Sequence, residues 1–424
     1  MGEGRDTSVV AKLDWLGRRS ADSGQGAELV PAAPSPAVTT PEPAATRRFR
    51  PDVEGLRAIA VLFVVLYHAH MPGISGGFVG VDVFFVISGF LITGLLLREH
   101  EQRSSISILG FYGRRARRIL PASTLVVVLT VFAAYHWLGF LEGNVVAGDA
   151  KWTAVFLANI HLAQVGTSYF GSQAPPSALQ HMWSLGVEEQ FYVVWPGLFL
   201  LVATIGRRLN LRVKLGILLV AIVAASLAWS ILQTSDNSTW AYFSPLTRAW
   251  ELGVGALVAI VAPLFGRISR KAALVMGCLG AAGVVGSGFL LNAATPYPGS
   301  AAALPVFGTA LLIAAGTAVA NLPTERILST RPFQWFGARS YSLYLWHWPI
   351  LVIATEHSFK PLYLWQNLLC VLVAIVGAAL SYRFVENPVR KNKFLQKQPL
   401  VSVAMGIGLI LITIGIAQWQ LSIH

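Results

Sequence analysis

The sequence predicts an all-α, polytopic membrane protein, and three observations carry that reading. Hydrophobic residues make up 54% of the 424-residue chain and charged residues only 12%, about half the usual charged fraction. Apolar stretches long enough to cross a hydrocarbon layer of ~30 Å recur along the sequence. The Lys and Arg residues behind the net charge of +12 fall almost wholly in alternate connections between those stretches. That distribution argues against a nucleic-acid surface and reads first as a topology signal.

Residues 1–46 are rich in Ala, Pro and Ser, lack apolar helical periodicity, and read as a disordered cytoplasmic tail. Eleven spans follow, near residues 57–72, 79–97, 119–139, 185–204, 213–232, 245–264, 272–291, 302–320, 340–356, 365–384 and 402–421. The first ten belong to one membrane domain over 47–398, and 399–424 is an additional transmembrane helix. Connections on one side, with the N-terminal segment through Arg57, hold 29 Lys and Arg; those on the other hold only Lys151 and Lys360. The positive-inside bias places the N-terminus in the cytoplasm and the C-terminus outside.

The first span carries Arg57 and His68. Eleven residues at about 100° each make three turns plus roughly 20°, so both project from nearly one face, about 16 Å apart along the axis. Ionisable groups inside a span are expensive and mark a functional site by default, although an interfacial Arg and a satisfied His are the bland alternative. The second span opens with Asp82, close in depth to His68 if the two helices pair. A carboxylate there would orient the imidazole, or it could simply cap a helix. Ser88 and Gly89, mid-span, permit close packing or ligand approach.

Before the third span stand Arg114, Arg115, Arg117 and Arg118. Their planar donor forks suit phosphate, though the same cluster serves as a membrane anchor. The long outward connection contains KWTAVFLANIHL, too short to span and read as interfacial or re-entrant. The fourth span follows His181 and carries Glu188 and Glu189 at its outer lip. His181 and Glu188, seven residues apart, share a face if that stretch is helical. Arg248 opens the sixth span. In the seventh, Gly277, Gly280, Gly283, Gly286 and Gly288 allow close helix packing. The ninth holds His347 beside Pro349, where freed carbonyls give the His a structural explanation. Cys278 and Cys370 read as small packing residues.

Together these segments resemble the acyltransferase-3 family of bacterial inner-membrane proteins. The resemblance rests on Arg57-x10-His68 in DVEGLRAIAVLFVVLYH, then GVDVFFVISGFLI, RRARRILP, HMWSLGVEEQFYVVWP, TRAWELGVGALVA, SYSLYLWHWP and YRFVENPVR, in order from about residue 52 to 391. It implies a bundle of about ten helices, a cytoplasmic acyl-CoA donor and an outward cell-surface glycan or glycolipid acceptor. It also implies functional roles for Arg57, His68, Arg117 and Glu188. The donor-binding set is then Arg57, Arg114, Arg115, Arg117 and Arg118. His68 is the catalytic base, with Asp82 or Glu188 orienting it, and an acyl-His intermediate remains the alternative. His181, Glu189, His347 and Arg248 are acceptor-side or structural candidates. No metal or tightly bound cofactor is expected; acetyl-CoA is the expected donor substrate.

Larger relatives continue from an eleventh span into an extracytoplasmic hydrolase-like domain of the SGNH type. This sequence stops at His424, so truncation or loss of that domain is the expectation. Acylation of a secreted small molecule such as a macrolide sugar is one rival function. Transport of lipid-linked sugars is the other, and it would need no CoA.

Overall fold

Each of the eleven apolar stretches is helical in the computed structural model, which describes residues 49–167, 169–170, 175–205 and 209–423. The expected tail over 1–46 lies outside the described residues. The first half contains α1 (Pro51–His68), α2 (Gly80–Arg103), α3 (Ile108–Trp137), α4 (Phe140–Ala154), α5 (Ala158–Gln164), α6 (Trp183–Thr204), α7 (Leu211–Asp236), α8 (Ser238–Phe243) and α9 (Pro245–Val261). The second half contains α10 (Arg270–Leu290), α11 (Ala303–Ala318), α12 (Pro323–Leu328), α13 (Arg331–Ser358), α14 (Leu364–Ser381), α15 (Asn387–Lys391), α16 (Lys393–Lys397) and α17 (Pro399–Ile423). No strand occurs among the described residues. Eight helical segments are long and apolar enough to cross a membrane.

Local signals set the ends of the helices that matter most. Pro51 starts α1 with Asp52 and Glu54 in its first turn, where a fixed φ and negative charge both suit a helix N-terminus. Ser107 caps α3, its hydroxyl accepting from the Gly110 amide at 3.0 Å. On the face bearing the basic connections, Arg212 pairs with Glu101 at 2.6 Å and Arg270 donates to the Asn321 carbonyl at 3.2 Å. The Arg-rich connections are therefore neighbours, as their alternation in sequence requires.

The central core packs α1 against α2 and α13, and α2 against α9. The crossing of α2 and α9 is close because it is made at glycine. A Cβ on Gly89 would run into the Leu252 carbonyl, and one on Gly255 into that of Val86. Likewise Gly280 and Gly283 of α10 lie against Gly308 of α11, whereas Gly286 faces no neighbouring helix. Cys278 is exposed on the outside of the bundle and Cys370 is part-exposed, which corrects their reading as packing residues.

The connection after α3 is re-entrant. Helix α4 folds back along α3 and α17, so Val155, Phe156 and Leu157 lie beside Ala116, Leu120, Gly406 and Ile410. Irregular backbone at that depth needs internal partners. Gln190 supplies them, donating to the Phe156 carbonyl at 2.9 Å and to Asn159 Oδ1 at 2.8 Å. Asn159 in turn donates to the Phe243 carbonyl at 3.1 Å. Helix α17 thus packs directly on α3 and α4.

Candidate functional site

Three histidines from three distant parts of the chain meet at the end of α1 opposite the basic face. His68 is the last residue of α1, His347 lies mid-way along α13, and His181 sits in a 3-10 turn before α6. The rings of His68 and His347 lie side by side and nearly coplanar, with centroids 5.2 Å apart, and His181 meets His347 edge-on at 5.6 Å.

The hydrogen bonds in this cluster form a chain with a defined direction. His347 Nδ1 is 2.7 Å from the Tyr344 carbonyl, which can only accept, so Nδ1 carries the proton. With that ring neutral, its Nε2 accepts, and His68 Nδ1 donates to it across 3.0 Å. His68 Nε2 then holds a lone pair, and the Tyr169 hydroxyl donates to it at 2.8 Å. The tautomer of His68 is therefore set by a backbone carbonyl acting through His347. His347 is a positioning residue, more than the structural His its proline neighbour suggests.

His181 differs from the other two. Its residue is 2% exposed, yet neither ring nitrogen makes a hydrogen bond of normal geometry. Pro349 removes the N–H that would have bonded the Leu345 carbonyl, and that carbonyl is turned toward His181. A buried imidazole whose polar neighbour is that one carbonyl keeps a ring nitrogen for a ligand.

Beside this cluster lies a cavity reaching in from the basic face. Arg57, Arg115 and Arg118 line it, with Ser88, Glu188 and Tyr192 facing them. Arg57 donates to Glu54 at 3.2 Å, and Arg115 stacks on Tyr192 at 4.0 Å. Glu188 accepts from the Tyr192 hydroxyl and from Ser88 Oγ at 2.5 Å. Toward the histidines, Phe84, Ser184 and Tyr344 line the cavity, and the Tyr344 hydroxyl bonds Ser184 at 2.7 Å and the His181 carbonyl at 2.7 Å. The Tyr344 ring therefore stands between the cavity and the rings of His181 and His347.

Several expected arrangements are corrected. Neither Asp82 nor Glu188 orients His68, because Glu188 is held in the cavity by Ser88 and Tyr192. Asp82 instead forms a buried ion pair with Arg248 at 2.9 Å and accepts from the Tyr297 hydroxyl at 2.5 Å. Arg248 also pairs with Glu251 at 2.8 Å and lies over the rings of Trp183, Tyr242 and Tyr297. His181 and Glu188 do not share a face, since the 3-10 turn at Gln180–Met182 breaks the α-helical register between them. Glu189 faces an apolar groove between α3, α6 and α17, with Oε1 buried and unpartnered.

The four clustered arginines divide. Arg115 and Arg118 face the central cavity, whereas Arg114 bonds Glu99 at 2.8 Å. Arg117 donates to the Leu395 carbonyl at 2.8 Å and to Ser402 Oγ at 2.9 Å, tying α3 to α17. Sequence reasoning missed Tyr169 and Tyr344. Tyr344 lies in the quoted motif SYSLYLWHWP, but nothing local marks Tyr169.

Comparison with known proteins gives the family. The acyltransferase domain of the acyltransferase-3 family matches residues 50–383. The peptidoglycan O-acetyltransferase OatA of Listeria monocytogenes is 33% identical over 82% of this chain and 57% of its own length. The O-acetyltransferase OatA of Staphylococcus aureus is 33% identical over 82% of this chain and 58% of its own. The chain thus spans a little over half the length of these curated relatives. No solved structure matches. With the family's domain matched from just before α1 to just past the end of α14, the chain belongs to the acyltransferase-3 family of membrane proteins.

Proposed function

We propose that this chain moves an acetyl group from cytoplasmic acetyl-CoA to a hydroxyl of an extracytoplasmic cell-envelope glycan. The single observation that carries the reading is the directed hydrogen-bond chain. It leaves a basic lone pair on His68 Nε2, already met by a hydroxyl, beside a cavity lined by three arginines. The positive-inside bias makes the basic face cytoplasmic, in a plasma membrane, with the N-terminus on that side.

Arg57, Arg115 and Arg118 would attract the anionic donor into the central cavity, and its thioester would point toward Tyr344. The acyl end meets His68 once the Tyr344 ring turns aside. The acceptor hydroxyl takes the place of the Tyr169 hydroxyl on His68 Nε2. As His68 removes its proton, the acceptor oxygen attacks the thioester carbon. The carbon–sulfur bond then breaks, and the thiolate of CoA receives the proton held by His68. His181, whose ring makes no hydrogen bond of normal geometry, is placed to donate to the thioester oxygen as negative charge develops there. Stepwise transfer through an acyl-His68 would use the same nitrogen.

Peptidoglycan, named in the Listeria relative, is the first acceptor to examine. The test is mass spectrometry of envelope glycans from cells carrying wild type or His68→Ala at matched membrane levels, before and after mild alkali. An alkali-labile acetyl mass present only with wild type supports the reading. Identical profiles would remove it and favour a secreted acceptor or transport.

A further inference from the structure

On the face opposite the basic one, a cleft opens where the outer ends of α1, α3 and α13 meet the start of α14. His70, two residues beyond His68, lines it. Its other chemistry comes from Trp137 and Glu142 on one side and from Glu356, Phe359, Lys360 and Asn367 on the other. Among the described residues, the carboxylates of Glu142 and Glu356 and the ammonium of Lys360 form no ion pair.

Three of these side chains are not explained by packing. Phe359 is 92% exposed and sits at φ 52°, a left-handed conformation that a bulky residue rarely adopts. Trp137 is 52% exposed, and its carbonyl accepts from His357 Nδ1 at 3.0 Å, which ties the end of α3 to that of α13. Asn367 is the reverse case. It is only 5% exposed and lines the cleft, yet its carboxamide has no hydrogen-bond partner among the described residues. A buried amide left unpaired in a cleft wall is a place kept for a ligand.

The chemistry of the walls selects a sugar. Exposed aromatic faces take the apolar faces of pyranose rings, and free carboxylates accept from ring hydroxyls. A carboxamide both donates and accepts, so its complement is a group that does the same, such as an acetamido substituent. Two carboxylates against one ammonium disfavour an anionic saccharide. Thr355, also in the wall, is eight residues beyond His347 on α13, about 12 Å along its axis. That is farther than one pyranose ring reaches from the histidines. We propose that the cleft is a second saccharide subsite, which holds a neutral N-acetylhexosamine neighbouring the sugar that is acetylated at His68. Trp137, Phe359 and Asn367 are its recognition residues, and the acceptor is a chain rather than a single sugar. This rests on the proposed transfer to an outward glycan.

The test is binding of chitotriose, the linear trimer of N-acetylglucosamine, to the purified full chain in nanodiscs. Cellotriose, its glucose counterpart, is the second probe. Wild type should bind chitotriose about tenfold more tightly than cellotriose. Asn367→Ala should lose about tenfold on chitotriose and bring the two probes level. Phe359→Ala should weaken both about fivefold, at an unchanged unfolding midpoint because the ring is exposed. Trp365→Ala, an exposed aromatic on α14 outside the cleft, should bind within about twofold of wild type. Should Asn367→Ala fail to fold, Phe359→Ala and the two probes on wild type decide the matter. The inference is overturned if wild type does not bind chitotriose, if it binds cellotriose as tightly, or if Asn367→Ala and Phe359→Ala bind as wild type does. A sugar-free peptide that displaces chitotriose equally well would overturn it too. Chitotriose binding of the expected kind without acetyl transfer would sink the proposed function alone. Acetyl transfer to chitotriose that is indifferent to residues 359 and 367 would sink this inference alone.

Discussion

Two buried polar clusters stand on either side of one aromatic wall, where Tyr169 stacks on Tyr242 at 4.3 Å. On one side Arg248 is gripped by Asp82, Glu251, the Tyr242 carbonyl and three aromatic rings. Its Nε and Nη1, and both oxygens of Asp82, are engaged within the protein, and the residue is 1% exposed. On the other side His68 has one nitrogen bonded to a loop hydroxyl, and His181 has no hydrogen bond on its ring. Both clusters contain ionisable groups inside the bundle. What separates them is saturation: the Arg248 cluster is closed upon itself, whereas the histidine cluster keeps capacity for a ligand.

The comparison can be broken by substitution, and the largest effect should come from the closed cluster. Arg248→Ala leaves two carboxylates buried without their cation and should cost about 3–5 kcal/mol of stability. Thermal unfolding in detergent should show it as a lowered midpoint, and a near-normal midpoint would mean that the cluster is not a clamp. His181→Ala should do the opposite, leaving the midpoint alone while slowing transfer about a hundredfold, or ~2.7 kcal/mol of barrier. Equal losses of stability and rate would make His181 a packing residue.

Gly255→Ala separates backbone contact from chemistry. Its new methyl group would press on the Val86 carbonyl and should cost about 1–3 kcal/mol of stability, read from the same unfolding curves. The smallest effect is expected from Tyr169→Phe, which removes one hydrogen bond to His68, worth about 1 kcal/mol. Because the acceptor is proposed to displace that hydroxyl, the variant should keep its kcat within about tenfold. A total loss of turnover would show that the Tyr169 hydroxyl takes part in the chemistry.

Much of the bundle is legible in the sequence, because the cost of exposing polar backbone to lipid writes each span as an apolar run. Arg57 and His68 stand out for the same reason, as ionisable groups in such a run. The partnerships are not legible. Asp82 was expected beside His68 on grounds of depth, yet it pairs with Arg248, 166 residues away. His68 finds its orienting partner in His347, 279 residues away. Contacts of that separation leave no local periodicity. Tyr169 is hidden for another reason: it lies outside the helices, where neither hydropathy nor helical spacing constrains a residue. The division of Arg114, Arg115, Arg117 and Arg118 follows from the helix itself, since successive positions on α3 point to different sides.

The central claim is that the open cluster does the chemistry, with His68 as its base. It is tested most directly by acetyl transfer from labelled acetyl-CoA to a peptidoglycan fragment, using purified full-chain wild type and His68→Ala with unfolding midpoints measured on the same samples. The account expects His68→Ala to lose transfer by about 10²–10⁴-fold at an unchanged midpoint. Transfer within a few fold of wild type would contradict it.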